Sequence, residues 1–202
     1  PARRFSLEPF RDRSFIALTA ATMGLHFTQA GLLQALLPVH AQTALGANEA
    51  QVGFLLTLAP TVAFLLAYPN GMLSDRWGRK ISLVPGLVLL SVAAFMLDIG
   101  DIYTILIIAM LIQGSGEAMT FGTTQTYAMD LAPERGRGSY IGMWTMTQAT
   151  GATLGPLVIT GIYHFVSPTA SFLALGALLA FAAVLMLGFG RETAGPRAKP
   201  RD

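Results

Sequence analysis

Long apolar segments alternate with short charged or turn-rich breaks along the chain, and this alternation limits its fold more than any other feature. A run of about 20 apolar residues crosses the hydrocarbon core of a bilayer as an α-helix. Such runs fill most of the 202 residues and leave no room for a separate soluble domain. We therefore predict an all-α membrane protein with six transmembrane helices, at residues 14–39, 50–70, 81–99, 102–128, 138–164 and 168–189.

The basic residues predict how these helices are oriented. All 13 Lys and Arg residues lie before span one, after span six, or in the breaks that follow spans two and four. Cytoplasmic loops of membrane proteins are enriched in Lys and Arg. We therefore predict a cytoplasmic segment at 1–13, which is either an N-terminal segment or the remnant of a central loop. A six-helix region at 14–189 in the cell (inner) membrane and a cytoplasmic polar tail at 190–202 follow it.

Composition excludes several classes of function. Only 12% of the residues are charged, about half of the roughly 25% that is usual in soluble domains. The net charge of +2 is confined to the breaks, so we expect no nucleic-acid partner. The chain has no Cys, which excludes disulfides and thiolate metal sites. We expect no cofactor and no metal, and the chain contains no phosphate-binding loop for ATP.

Polar side chains recur at helical spacing in two of the spans. Steps of three and four residues place them on one stripe of each helix. The stripes comprise Thr19, Thr22, His26 and Gln29 in span one, and Gln113, Glu117, Thr120, Thr124 and Tyr127 in span four. Spans five and two add Thr145, Gln148, Thr57 and Thr61.

The two stripes predict a cavity lining, although each polar residue could instead bond a neighbouring helix. Spans three and six carry little beyond Ser82, Ser91 and Ser171, and we predict that they face lipid. Spans one and four thus match each other, as do spans three and six. This pattern is expected of two three-helix repeats around a central path.

Glu117 is the single acid deep within any predicted span. A charged group near the centre of a bilayer costs several kcal/mol, so such residues usually mark an ion or substrate path. We predict that Glu117 binds substrate or a proton, with His26 as a second candidate. A protonated Glu117 that only bonds a neighbouring helix remains the structural alternative.

A basic motif separates spans two and three, reading Gly71-Met72-Leu73-Ser74-Asp75-Arg76-Trp77-Gly78-Arg79-Lys80. We predict a tight hairpin in which Gly71 and Gly78 adopt turn conformations. The motif closely resembles the G-x-L-x-D-R-x-G-R-K signature of major facilitator superfamily transporters. The resemblance implies that its Gly, Asp and Arg residues form a cytoplasmic latch between two halves of a transporter.

Two further segments extend this resemblance along the chain. Gln113-Gly114-Ser115-Gly116 is similar to a motif of the family's fourth helix. Gly151-Ala152-Thr153-Leu154-Gly155-Pro156 is similar to the Gly-Pro motif of its fifth helix, which is prominent in antiporters. We expect Gly151 and Gly155 to allow close helix packing and Pro156 to bend the helix.

The resemblance implies a secondary transporter rather than an enzyme. It would move a small molecule across the bilayer by alternating access, driven by protons or another gradient ion. Drug or metabolite efflux is favoured by the Gly-Pro motif alone; sugar or nutrient uptake is the main alternative. A channel is less favoured. An intramembrane protease, whose serine would be Ser115, is also disfavoured because span six contains no His to activate it.

Family members contain about twelve spans in two halves, so we expect a second six-helix half as a partner, upstream in the same chain or in a second copy. The family's fourth helix often has an Arg at the position of Met110. That departure, the start at Pro1 and the polar tail favour the C-terminal half. The well-formed loop motif favours the N-terminal half.

Overall fold

Six long helices make up most of the structure, a computed structural model that describes residues 8–99, 102–196 and 198. A short 3₁₀ turn at Glu8–Arg11 precedes the first helix. The helices are α1 (Arg13–Leu45), α2 (Glu49–Trp77), α3 (Arg79–Asp98), α4 (Tyr103–Leu131), α5 (Arg137–Phe165) and α6 (Pro168–Phe189). All regular structure in the described ranges is helical, which confirms the all-α fold class.

In the part of the chain that the structure describes, five of the six helices are long and apolar enough to cross a membrane. The exception among the described residues is α5, which has 29 residues, as do α2 and α4. Threonine and glutamine side chains, with several glycines, lower its mean hydropathy. The chain is therefore a multi-pass membrane protein.

The described Lys and Arg residues gather at one end of the bundle, called here the basic end. There the Ser14 hydroxyl, at the start of α1, donates to the Phe189 carbonyl at the end of α6. Arg79, at the start of α3, likewise contacts Asp130 at the end of α4. Two sets of residues lie outside the described ranges: the basic residues Arg3, Arg4, Arg197, Lys199 and Arg201, and Gly100 and Asp101 between the third and fourth predicted spans.

The helix α1 extends further than predicted and changes its winding halfway. Residues Gln29–Leu36 form a π-helical segment within it, and the helix ends at Leu45 rather than near residue 39. Gly46 then adopts a left-handed conformation, with φ of +62°. π-Helical turns are rare and are frequently found at functional sites.

The junction between α2 and α3 is shorter than the predicted hairpin. Gly71 lies within α2, so the predicted turn conformation at Gly71 is wrong. Asp75 and Arg76 also belong to the last turns of α2, and Gly78 alone separates the two helices. Its φ of +123° reverses the chain in one residue, a conformation that L-residues with a Cβ rarely adopt.

The helices pack in two similar sets. One set has α1 against α5 and α6, while the other has α4 against α2 and α3. The helices α3 and α6 pack against each other and join the sets. Exchanging α1–α3 with α4–α6 reproduces this arrangement, as expected of two three-helix repeats.

A short sequence repeat marks equivalent positions in the two sets. Thr57-Leu58-Ala59-Pro60 in α2 matches Thr153-Leu154-Gly155-Pro156 in α5. A Cβ on Gly114 of α4 would overlap the backbone of Ala59, and a Cβ on Gly31 of α1 would overlap the backbone of Gly155. Each repeat therefore places a small residue followed by proline against a glycine of the neighbouring helix.

The exposed surface differs in part from the prediction that the third and sixth helices face lipid. Both expose apolar side chains, including Val88 and Val184. The apolar part of α2 is, however, only 17% buried, against 50% for that of α3. The reason is that α3 lies between α4 and α6, whereas α2 packs mainly on one side against α4.

Candidate functional site

A groove of about 480 Å³ runs along α2 and α4, with Gln29 of α1 at its inner end. Glu117 lines it near the middle of α4, and Asp75 and Arg79 line it at the basic end. Small residues of α2 and α4, among them Ala63 and Gly122, form much of the wall between these points. The groove thus connects the buried acid with the loop motif.

Glu117 and Gln113 form a buried pair on α4. The Gln113 amide nitrogen donates to Glu117 Oε1 at 3.2 Å, and the two residues are only 1% and 6% exposed. The Gln113 carbonyl oxygen Oε1 has no hydrogen-bond partner among the described residues. The pair therefore combines a carboxylate with a second, unfilled acceptor, a pattern suited to a ligand that donates hydrogen bonds.

His26 lies close to this groove without lining it. Its Nδ1 donates to the Thr22 carbonyl oxygen at 2.9 Å, so the neutral ring keeps Nε2 as an acceptor. The ring meets Phe121 edge to face, with the centroids 5.6 Å apart. Phe121 does line the groove, which adds an aromatic surface near Glu117.

The other residues of the predicted stripes lie away from the groove. Thr22 is buried and accepts a hydrogen bond from the Trp144 indole at 2.9 Å, which links α1 to α5. Thr120 and Thr124 are buried and donate to carbonyls of their own helix. Gln148 is half-buried on α5 and does not line the groove.

The motif residues form a polar cluster at the basic end of the groove. Arg79, whose side chain is 14% exposed, forms an ion pair with Asp75 and donates to Ser74 Oγ at 3.3 Å. Its Nε also donates to Asp130 Oδ2 at 3.2 Å. Arg79 therefore joins the end of α2 to the end of α4.

The other two basic residues of the motif differ from Arg79. The Lys80 ammonium donates to the carbonyls of Leu187 and Gly190, at the end of α6. Arg76 remains exposed.

Sequence reasoning missed Asn70, which is 8% exposed and lines the same groove. Its amide nitrogen donates to the Ala118 carbonyl at 2.8 Å, and its Oδ1 accepts from the Ser82 hydroxyl at 2.7 Å. Asn70 thus links α2, α3 and α4 beside Glu117. An amide in an otherwise apolar run, just before the loop motif, is the signal that could have identified it.

The glycines predicted to allow helix packing lie where α5 meets α1. A Cβ on Gly151 would overlap the Met23 carbonyl, and one on Gly155 would overlap the Phe27 carbonyl. Pro156 follows within α5, which continues to Phe165. Within the described ranges, no group of three or more His, Cys, Asp or Glu residues could hold a metal ion.

Comparison with known proteins identifies relatives over most of the chain. A family model described as Major Facilitator Superfamily matches residues 19–202. The chain is 28% identical over 165 residues to the quinolone resistance protein NorA of Staphylococcus aureus, a match that covers 81% of this chain and 42% of NorA. It is 29% identical over 133 residues to the human synaptic vesicular amine transporter, covering 65% of this chain and 26% of that protein.

Solved structures share the fold at lower sequence identity. A crystal structure of a POT family transporter in complex with a thioalcohol-conjugated peptide has a TM-score of 0.78 and 16% identity, covering 92% of this chain and 41% of that one. A second, with 5-aminolevulinic acid, has a TM-score of 0.75 and 18% identity, covering 90% of this chain and 39% of that one. In each of these comparisons the chain spans less than half of the matched protein.

Proposed function

Because this chain belongs to the Major Facilitator Superfamily, we propose that it is half of a proton-coupled exporter of small cationic molecules. The observation that carries the proposal is the buried pair Glu117 and Gln113 beside a groove that reaches the basic end. Transport would follow alternating access, in which two six-helix halves rock around a site near the middle of the membrane.

The substrate class follows from the groups that the groove presents. Glu117 supplies a carboxylate to the groove. Gln113 does not line the groove, but it donates to Glu117 from within α4 and keeps a buried, unfilled acceptor next to it. Phe121 supplies an aromatic ring, and cations are attracted to aromatic faces. Among the described residues that line the groove, Arg79 is the one basic side chain, and its guanidinium is already engaged by two aspartates at the far end. These features favour a protonated amine or another organic cation.

Coupling follows from the cost of leaving Glu117 charged without a partner. A carboxylate inside the membrane needs either a proton or a bound cation, so the two compete for Glu117. Each release of substrate is then tied to the uptake of a proton. The names of two relatives, a quinolone resistance protein and a vesicular amine transporter, support export over sugar or nutrient uptake.

The remaining parts of the proposal concern the membrane arrangement. We assign α5 as a sixth span, with both chain ends and the basic end in the cytoplasm. The motif residues Gly71, Asp75, Arg76, Gly78, Arg79 and Lys80 would form the cytoplasmic gate against a second six-helix half. Gln29 would line the path, with His26 beside it next to Phe121. Thr22, Thr120, Thr124 and Gln148 lie away from this groove. Gly151, Gly155 and Pro156 would set the contact of α5 with α1.

The test is proton-driven transport of ethidium by the full-length transporter in proteoliposomes. The unaltered protein should accumulate ethidium against its gradient when a proton gradient is imposed. Glu117→Gln should abolish this uphill transport, because the amide cannot release a proton. Downhill exchange should persist with a weaker apparent affinity for ethidium, because the amide keeps the size of the side chain but not its charge. Glu134→Gln, which changes an exposed acid at the basic end, is the matched control.

Two results would contradict the proposal. Uphill transport of normal rate in Glu117→Gln would exclude Glu117 as the coupling residue. Failure of the unaltered protein to move either ethidium or tetraphenylphosphonium, under either direction of the proton gradient, would exclude organic cations as the substrate class.

A further inference from the structure

The six residues that follow α6, Gly190–Gly195, lie across the basic end of the bundle. The Lys80 ammonium donates to the Gly190 carbonyl at 3.1 Å, and the Tyr127 hydroxyl donates to the Arg191 carbonyl at 2.8 Å. The Arg191 amide donates to Ser14 Oγ at 3.3 Å. The segment, called here the strap, therefore contacts the ends of α1, α3 and α4.

Within the strap, Glu192 caps the helix α3. Both of its carboxylate oxygens accept from the Lys80 backbone amide, at 3.3 and 3.2 Å. The first amides of a helix lack partners within the helix, and a negative charge near them is stabilising. No side chain of the residue at the N-cap position fills this role, because that residue is Gly78. A residue 112 positions further along the chain thus supplies the cap.

Gly78 makes room for the contact between Glu192 and the start of α3. A Cβ on Gly78 would overlap the carboxylate of Glu192, so the absence of a side chain leaves the space in which Glu192 sits. Gly195 lies directly against the backbone of Trp77 and Gly78, where its own Cβ would come within 2.8 Å. The junction of α2 and α3 is therefore enclosed by the strap on two sides.

Thr193 connects the strap to the ion pairs of the motif. Its hydroxyl donates to Asp130 Oδ2 at 3.0 Å, the same oxygen that accepts from Arg79 Nε at 3.2 Å. Asp130 consequently joins α4 to α3 through Arg79 and to the strap through Thr193. The strap and the motif share one hydrogen-bonded network.

We propose that the strap is a working part of the gate, in which Glu192 is the positioning residue that holds the strap on the α2–α3 junction. Thr193 and the Arg191 carbonyl connect the strap to α4, so the strap holds the junction beside that helix. This inference rests on the proposed function only in calling the motif a gate. While the strap is bound, the end of α2 is held beside the groove. Release of Glu192 frees the junction to move and opens the groove at the basic end.

Cysteine alkylation in membranes tests the strap directly, since the chain has no cysteine of its own. Gly122→Cys places a reporter in the groove, and Gly53→Cys places one at the opposite end of α2; a Cβ at either site meets open space. Adding Glu192→Ala should raise the maleimide reaction rate of the Gly122→Cys reporter about fivefold, as expected for the loss of one helix cap. The Gly53→Cys reporter should not change.

Matched variants distinguish the loss of the strap contact from a general effect of removing a negative charge at this end. Glu134→Ala removes an exposed acid at the same end and should leave both rates unaltered. Glu192→Asp should restore most of the protection, and Thr193→Val should give a smaller rise than Glu192→Ala. Equal rates in Glu192→Ala and Glu134→Ala would overturn the proposal.

A second measurement covers the case in which Glu192→Ala folds poorly. Glu192→Gln keeps the size of the side chain, and hydrogen exchange of the peptide containing Lys80 reports on the cap itself. Faster exchange there supports the strap, and unchanged exchange contradicts it. Neither assay requires transport, so a failed ethidium assay with altered alkylation would reject the proposed function while the strap stands.

Discussion

At the scale of the residue, buried polar side chains in this bundle form bonds between helices more often than they line the groove. Thr22 accepts from Trp144 across α1 and α5, and Ser91 donates to the Gly176 carbonyl across α3 and α6. Asn70 bonds both α3 and α4. Glu117 differs from them, because its side-chain hydrogen bond stays within α4. It borders the groove, as Asn70 does, but it connects no second helix there.

Asn70 provides a test of how much one such residue stabilises the bundle. Asn70→Leu leaves the Ser82 hydroxyl and the Ala118 carbonyl without this partner, so the free energy of unfolding should fall by about 1–3 kcal/mol. Unfolding in mixed detergent micelles would measure the change. The control Gln125→Leu removes an exposed amide from α4 and should have little effect. Equal stability of the two variants would contradict the role given to Asn70.

At the scale of the element, glycine determines how closely the helices approach. The backbones of α1 and α5 meet at Gly31 and Gly155, inside the π-helical segment of α1. The equivalent contact of α2 with α4 occurs at Ala59 and Gly114. Close backbone contact of this kind is how helices associate inside a membrane, where no hydrophobic effect drives them together.

A pair of alanine substitutions on α5 tests this contact. Gly155→Ala places a methyl group against the Phe27 carbonyl, so we expect a loss of about 1–3 kcal/mol in the free energy of unfolding. Gly161→Ala is the control, since no atom lies within 4 Å of its Cβ position. There the gain in helix propensity, about 1 kcal/mol, should make the variant as stable as the unaltered protein or more so. A stable Gly155→Ala variant would refute the contact.

At the scale of the whole molecule, the orientation of α5 decides whether the bundle crosses the membrane six times. Ser139 lies exposed at the basic end of α5, and Phe165 is 91% exposed at the other end. We expect a membrane-impermeant maleimide to label Phe165→Cys in intact cells. Ser139→Cys should react only after the membrane is made permeable. Labelling of both sites from outside would exclude α5 as a span.

The sequence alone was sufficient for the all-α class and for the approximate positions of the six helices, although α1 and α2 end at Leu45 and Trp77 rather than near residues 39 and 70. The thickness of the hydrocarbon core requires long apolar helices, and their charge keeps Lys and Arg residues out of that core. Both features can therefore be read from residues that are neighbours in the chain. The loop motif identified the family for the same reason, since its residues are contiguous. Glu117 could also be singled out as a candidate, because an acid within an apolar run is costly wherever the helix packs.

The tertiary structure decided which polar residues face the groove and which bond other helices. Helical spacing placed Thr22, Thr120 and Glu117 on stripes, but only packing determined that the two threonines are enclosed while Glu117 borders the groove. Packing also brought Glu192 to Gly78 across more than a hundred residues. The spacing of residues on a helix gives the direction in which each side chain leaves that helix. The groups that the side chain contacts belong to other helices, which are remote in sequence.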